Sequence, residues 1–246
     1  ALRMFTDKNF RSRIVDRAKD PMVITFWKKE YASWTEKYRT EAIAPIQNKI
    51  GQFFASDLIR NILGQAHSTI SFRDIMDNRK IFVANLSKGR IGEDNSNLLG
   101  SMLVTKLQLA AMSRVEISDQ KQRVPHYVYV DEFQNFTTDS FASILSEARK
   151  YGLGLTVANQ YIAQLSESGS DNVKNAVFGN VGTIISFKVG SQDGLALEYE
   201  FSPSYVSTDF LYLNCGQVVM KMTINGRNTT PFGAQTLEPM FGRFGG

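Results

Sequence analysis

At 246 residues, with 43% hydrophobic and 21% charged side chains, the chain can bury a sizeable core, as one large α/β domain or one domain with a smaller helical piece. A single cysteine, Cys215, excludes an intramolecular disulfide and reads as a small buried hydrophobe; with His67 and His126 the only histidines, zinc ligation and Cys-His nucleophilic chemistry are both disfavoured. No apolar run approaches the roughly 20 residues that a bilayer-spanning helix requires, and the opening residues carry no signal-peptide pattern. The net charge of +4 is unevenly placed: residues 1–50 hold a surplus of five positive charges, and the rest of the chain is close to neutral.

Taken in chain order, residues 1–78 read as a mostly helical region or insertion, broken at Pro21, Pro45 and Gly64. Arg11, Arg13, Arg17, Lys19, Lys28 and Lys29 are interleaved there with Phe10, Phe26, Trp27, Tyr31 and Trp34. That mixture suits either a polyanion surface or ordinary amphipathic helices with a solvated face. Ile46, Ile50, Phe53, Phe54, Leu58 and Ile62 recur at helical spacing and predict a buried stripe. From residue 79 onward strands and helices alternate. The pattern predicts strands over residues 80–86, 127–130, 153–158, 183–189 and 217–224. It predicts helices over 95–114, 139–150 and 193–201. Leu98, Leu99, Met102, Leu103, Leu107 and Ala110 form the apolar face of the first helix. Phe141, Ile144, Leu145 and Ala148 form that of the second, with Gly152 as its stop signal. Repeated β-α-β units predict a three-layer α/β sandwich around a largely parallel sheet, preceded by the helical region. The glycine-rich last residues read as frayed.

The segment Tyr127-Val128-Tyr129-Val130-Asp131-Glu132-Phe133-Gln134 carries the most chemistry. A strand of a parallel sheet is buried on both faces and reads as a continuous apolar run, and ligands gather where such strands end. Asp131 and Glu132 stand at that end. A first carboxylate there can hold Mg²⁺ through water, and a second can orient or deprotonate the water that attacks a γ-phosphate. This is the Walker B pattern, although four apolar residues before Asp-Glu also describe an ordinary buried strand with an acidic turn. The following strand ends at Gln160, whose amide either senses the γ-phosphate or caps a turn. Arg149 sits at the C-terminal end of the intervening helix. It either answers the helix dipole or, in a ring of subunits, reaches a neighbour's nucleotide as an arginine finger.

Three segments in this order and spacing, residues 128–134, 147–153 and 157–160, resemble the C-terminal part of the HerA/FtsK-like ATPases. The branch most similar is that of the conjugative coupling proteins, the TraG/TraD type with its TraM-recognition domain. Residues 48–51, 60–64 and 85–92 support the resemblance, which covers roughly residues 20–240. It implies a RecA-like P-loop NTPase fold over residues 79–246, with ATP and Mg²⁺ as ligands. It also implies a homo-hexameric ring that moves DNA, with relaxosome and secretion-channel proteins as partners. On that resemblance Asp131 and Glu132 are the Walker B pair, Asp131 and Gln160 contact the nucleotide, and Arg149 acts in trans. Loops at residues 87–97 and 166–174 are candidates for DNA contact by position. The implied location is the prokaryotic cytoplasm, at the inner face of the membrane through N-terminal segments not present here.

The chain departs from the family in one large respect. It holds no G-x-x-x-x-G-K-[ST] loop, whose amides and lysine cradle the phosphates, and no Gly-Lys pair, so half of the nucleotide site is absent. The expectation is therefore a C-terminal part of a longer ATPase that does not turn over by itself. Two other readings remain at this stage: a chromosomal HerA/FtsK-type motor, and a non-catalytic DNA-binding or scaffold module with a degenerate nucleotide site.

Overall fold

The computed structural model describes residues 2–137, 139–166 and 171–238. Contacts divide the chain into two units, Ala1–Thr69 with Ser87–Asn95, and Ile70–Leu86 with Ser96–Gly246. The glycine-rich end, residues 239–246, lies outside the described residues.

In the first unit, helices run over Lys8–Val15, Pro21–Thr25, Glu36–Ala55 and Asp57–Leu63. Asp7, Asp20, Thr35 and Ser56 cap them, each accepting a backbone N–H of the first turn. Pro21 occupies the first helical position after Asp20, where its missing N–H removes no bond. Pro45 does not break the chain as its position suggests but lies inside the helix Glu36–Ala55; the break falls at Ser56. Within this unit Tyr31 is buried and gathers the aromatic residues, with ring centroids 4.9 Å from Trp27 and 5.3 Å from Trp34. The guanidinium groups of Arg11 and Arg39 lie 4.9 and 4.8 Å from its ring centre. Lys28 pairs with Asp16 at 2.8 Å. The expected stripe is only partly right: Ile46, Phe54, Leu58 and Ile62 are exposed, while Ile43 and Ile59 are buried. The side chain of Phe53 lies outside the described residues. The stripe was projected through residue 56, where the chain leaves helical geometry and the facing positions change.

The second unit contains helix α1 (Phe72–Asp77), most of helix α2 (Glu93–Met112), strand β1 (His126–Val130), helix α3 (Asp139–Glu147) and strand β2 (Leu153–Val157). Helix α4 (Asn172–Asn180), strand β3 (Thr183–Ser186), helix α5 (Ser191–Phe201) and helix α6 (Ser207–Leu211) follow. Strands β4 (Gln217–Ile224), β5 (Arg227–Asn228) and β6 (Phe232–Gln235) complete it. Strands β1 and β2 are parallel, with His126 opposite Leu153 and Val130 opposite Val157. The expectation of one largely parallel sheet is corrected here, because β3, β4 and β6 form a separate antiparallel sheet and β5 pairs with β4 as a hairpin. The hairpin turns at Asn225 and Gly226, both at positive φ, the geometry that Asn-Gly favours. Residues 80–86 form no strand. Among the described residues they have no ladder partner, and Ile81 and Val83 are 93% and 84% exposed. β1 is covered on one face only: Tyr127 and Tyr129 are 66% and 76% exposed. What the structure supports is thus a mixed helix and sheet unit with a small parallel sheet. Cys215, expected to be buried, is exposed.

The covered face packs Val128, Val130, Leu155 and Val157 against a core of Met76, Val104, Ala111, Phe133, Phe136, Phe141, Ile144 and Leu165. Helix α3 buries the predicted Phe141 and Ile144, and the 3₁₀ turn Ala148–Tyr151 that follows buries Ala148 and ends at Gly152, whose φ of +70° is left-handed. Helix α2 packs Leu107 and Ala110 of the predicted face against the core, but its most buried residues, Ser96, Gly100, Val104 and Ala111, lie to one side of that face. The reason is Phe136, whose ring occupies the space that a Cβ on Gly100 would need.

One charged cluster ties this unit together. Arg114, just past α2, has no exposed side-chain surface. Its Nε donates to Asp77 at 3.0 Å, and its Nη1 donates to the carbonyls of Val124 at 2.9 Å and Tyr151 at 3.1 Å. It therefore joins α1, α2 and the entrances to both β1 and β2. Burial pulls its guanidinium below the ordinary arginine value, and the Asp77 carboxylate opposes that shift. Arg73 also bonds Asp77 and reaches Ser113 Oγ at 2.9 Å. Arg123 donates to the carbonyls of Ile117 and Lys150.

Arg114→Met should destabilise the protein by roughly 3 kcal/mol, because Asp77 and two carbonyls lose their buried donor; urea unfolding measures this. Gly100→Ala should cost about 1–3 kcal/mol through overlap with Phe136 and lower the melting temperature by several degrees. Burial, then the Arg114 charge, push the His126 imidazole below its ordinary value of 6.5. The unfolded chain then takes a proton near that pH that the folded chain resists, so stability is present above about 6.5 and declines as pH falls below it. His126→Gln should flatten this decline in thermal melts between about pH 7 and 5.

Candidate functional site

The chain's behaviour at the C-terminal ends of β1 and β2 builds the site. Val130 and Val157 stand level, and the Ala158 N–H donates to the Val130 carbonyl at 2.9 Å. The chain then turns sharply through Asp131 and Glu132, and Phe133 donates its N–H to the Ala158 carbonyl at 3.1 Å. Phe133, Phe136 and Phe141 anchor the turn from below; the rings of Phe133 and Phe141 stack with centroids 5.5 Å apart. With both phenylalanines of the 3₁₀ turn Phe133–Phe136 committed to the core, Glu132 is forced to φ 50°, ψ 43°, a left-handed geometry uncommon for a side chain of this size.

Every polar atom of Glu132 has a partner. Its N–H donates to Asp131 Oδ1 at 3.0 Å. Its carbonyl accepts from the backbone and side-chain nitrogens of Asn135, both at 3.0 Å. Its Oε1 accepts from the Gln160 amide and its Oε2 from the Gln134 amide. The structure thus brings together three of the four residues singled out from sequence: Asp131, Glu132 and Gln160. It separates the fourth. Arg149 is exposed and precedes β2, so it stands at the opposite end of the strand pair, five residues or about 16 Å away along the chain direction. Gln134 and Asn135 were missed by the reading of single residues. Two amide side chains do follow Glu132 at two and three positions, but that spacing does not fix which way the turn carries them.

Among the described residues, neither carboxylate of the Asp131-Glu132 pair forms an ion pair, and no group of three or more His, Cys, Asp or Glu side chains could cage a metal. Mg²⁺ keeps several waters and takes few protein ligands, so an exposed carboxylate such as Asp131, beside a second, could hold it through water. Beside Gln160 a cleft of about 740 Å³ opens, lined by Val157, Asn159, Ile184, Ser186, Lys188 and Asp193 among others. Asp193 is buried and accepts the N–H of Ile162 at 3.2 Å, which joins the start of α5 to the turn after β2. Of the two loops considered for DNA contact, residues 87–97 are largely helical, with helix Lys88–Ile91 followed by the start of α2. The other, 166–174, lies partly outside the described residues.

Residues 125–198 match the family described as the TraM recognition site of TraD and TraG. That stretch contains Asp131, Glu132, Arg149 and Gln160, so the resemblance read from sequence holds from β1 into α5. The chain is also similar to a solved structure, the genome packaging NTPase B204 from Sulfolobus turreted icosahedral virus 2 in complex with AMPPCP. The identity is 15% and the TM-score 0.43, over 70% of this chain and 74% of that one. No curated protein matches.

Proposed function

We propose that this chain supplies the Walker B half of an ATP-driven DNA-transport motor of the TraG/TraD coupling type. The observation that carries the reading is the hydrogen bond from Gln160 to Glu132, which joins the ends of two adjacent parallel strands inside the family-matched segment. A structural acidic turn has no need of a carboxylate held at the sheet's C-terminal edge by the next strand's amide.

On this reading Glu132 orients a water and takes its proton as the water oxygen bonds to the γ-phosphorus. The bond from that phosphorus to the β–γ bridging oxygen breaks, and ADP leaves. Gln160 donates to the γ-phosphate or to the water. Asp131 would hold Mg²⁺ through water, and the ion would supply positive charge against the phosphate oxygens. Arg149 stands away from its own chain's carboxylates and serves a neighbouring subunit in a hexameric ring. The glycine-lysine phosphate loop comes from chain outside this sequence. DNA is the cargo, and the partner chemistry is that of a TraM-like relaxosome protein and a secretion channel at the inner face of the bacterial membrane. The match to the TraM recognition site supports conjugative transport over chromosomal DNA processing.

The test is ATP hydrolysis, with and without single- and double-stranded DNA, by a protein that joins this chain to its phosphate loop. DNA-stimulated turnover is expected. Glu132→Gln should lower it at least about 100-fold and Arg149→Ala about 1,000-fold, with partial recovery when the two variants are mixed. Absence of turnover would reject the ATPase reading. Robust turnover by this chain without a phosphate loop would reject the shared-site arrangement.

A further inference from the structure

We propose that Gln134 is a positioning residue for Glu132, the fixed half of a two-amide clamp whose other half, Gln160, is exchangeable. The role in turnover rests on the ATPase reading above; the clamp itself does not.

A carboxylate only accepts, and here each of its two oxygens is taken by a different side-chain amide. The two holds differ in setting. Gln134 lies in the 3₁₀ turn whose ends, Phe133 and Phe136, are buried in the core. Its own Oε1 is shut away from solvent and has no partner. Turning that amide over would present its oxygen to the Glu132 carboxylate, acceptor against anion, so the charge fixes which way it faces. Gln134 is thus committed to donating to Oε2 even though this strands its other end. Gln160 is exposed, on the chain leaving β2 and beside the open cleft. It can trade Oε1 for another anionic oxygen without unburying anything.

This asymmetry has a chemical use. With an amide N–H on each oxygen, the Glu132 carboxylate is a weaker base toward a water proton. When the Gln160 amide moves to a phosphate oxygen, Oε1 loses that donor and becomes more basic, while Gln134 keeps the carboxylate aimed through Oε2. Water activation is thereby tied to the presence of the phosphate that the water is to attack. The left-handed backbone of Glu132, held by Asn135 and Asp131, fixes the other end of the side chain.

The test reads the side-chain amide resonances of Gln134 and Gln160 in the ¹⁵N-labelled chain, which needs no nucleotide. Both should move on Glu132→Ala. The Gln134 amide protons should exchange with solvent at least about tenfold more slowly than those of Gln160. A Gln134 resonance indifferent to Glu132→Ala, or Gln160 protons as slow as those of Gln134, would overturn the clamp. In the hydrolysing assembly, Gln134→Met should lower kcat about 10- to 100-fold with KM little changed. In a Glu132→Gln background the same change should add less than about twofold, because the two residues act as one unit. Equal losses in both backgrounds would overturn the positioning role. If Gln134→Met does not fold, the wild-type amide spectra and Glu132→Ala still decide. An assembly that never hydrolyses ATP rejects the ATPase reading and leaves the spectra to judge the clamp.

Discussion

A buried guanidinium holds the second unit in register. Arg114 makes three hydrogen bonds, one to a carboxylate on α1 and two to the carbonyls just before β1 and β2. Backbone carbonyls in such a place would otherwise be sealed from water without donors, which proteins seldom tolerate. One side chain with five N–H groups in a planar fork satisfies them together, and lysine, with a point-like ammonium, could not span the same set. The level ends of β1 and β2 follow from this, because both strands start from carbonyls bonded to one group. A site that depends on Val130 and Val157 standing side by side therefore depends on an arginine at the far end of the sheet.

At the near end the logic is aromatic. Phe133 and Phe136 leave the core no freedom to let the turn relax, and the strain appears at Glu132. Local propensity and tertiary packing disagree there. Such disagreement is expected where geometry is held for chemistry rather than for stability. The carboxylate is placed by backbone and side-chain bonds together, and among the described residues it forms no ion pair.

Much of this was legible in the residues. The strand at 217–224, the strand beginning near 127, the helix that stops at Gly152 and the Asp-Glu pair at a strand end all rest on local patterns: period, capping chemistry and glycine at positive φ. The parts that escaped are long-range. The apolar residues at 80–86 look like a strand in isolation, but a strand needs a ladder partner and none is supplied among the described residues. The apolar face of α2 is legible only in part, at Leu107 and Ala110, because Gly100 contributes no side chain of its own and is covered by Phe136. The antiparallel sheet was announced by Asn225-Gly226, a tight-turn signal that the repeated β-α-β pattern overshadowed. At the site, the carboxylates and Gln160 could be read from strand ends. The contribution of Gln134 could not, since it depends on a turn whose direction only the buried phenylalanines decide.

The left-handed backbone at position 132 carries a lesson about side-chain length. Among acidic residues aspartate settles into this region more readily than glutamate, because its short side chain crowds the backbone less and can bond to it locally. Judged by the main chain, then, residue 132 is occupied by the less comfortable of the two acids. The additional methylene is what lets one carboxylate meet an amide two residues along its own chain and another beyond the next strand. The position selects for reach, and a designer who eased the backbone with Glu132→Asp would gain a more relaxed turn and lose the distance across which the two strand ends are joined.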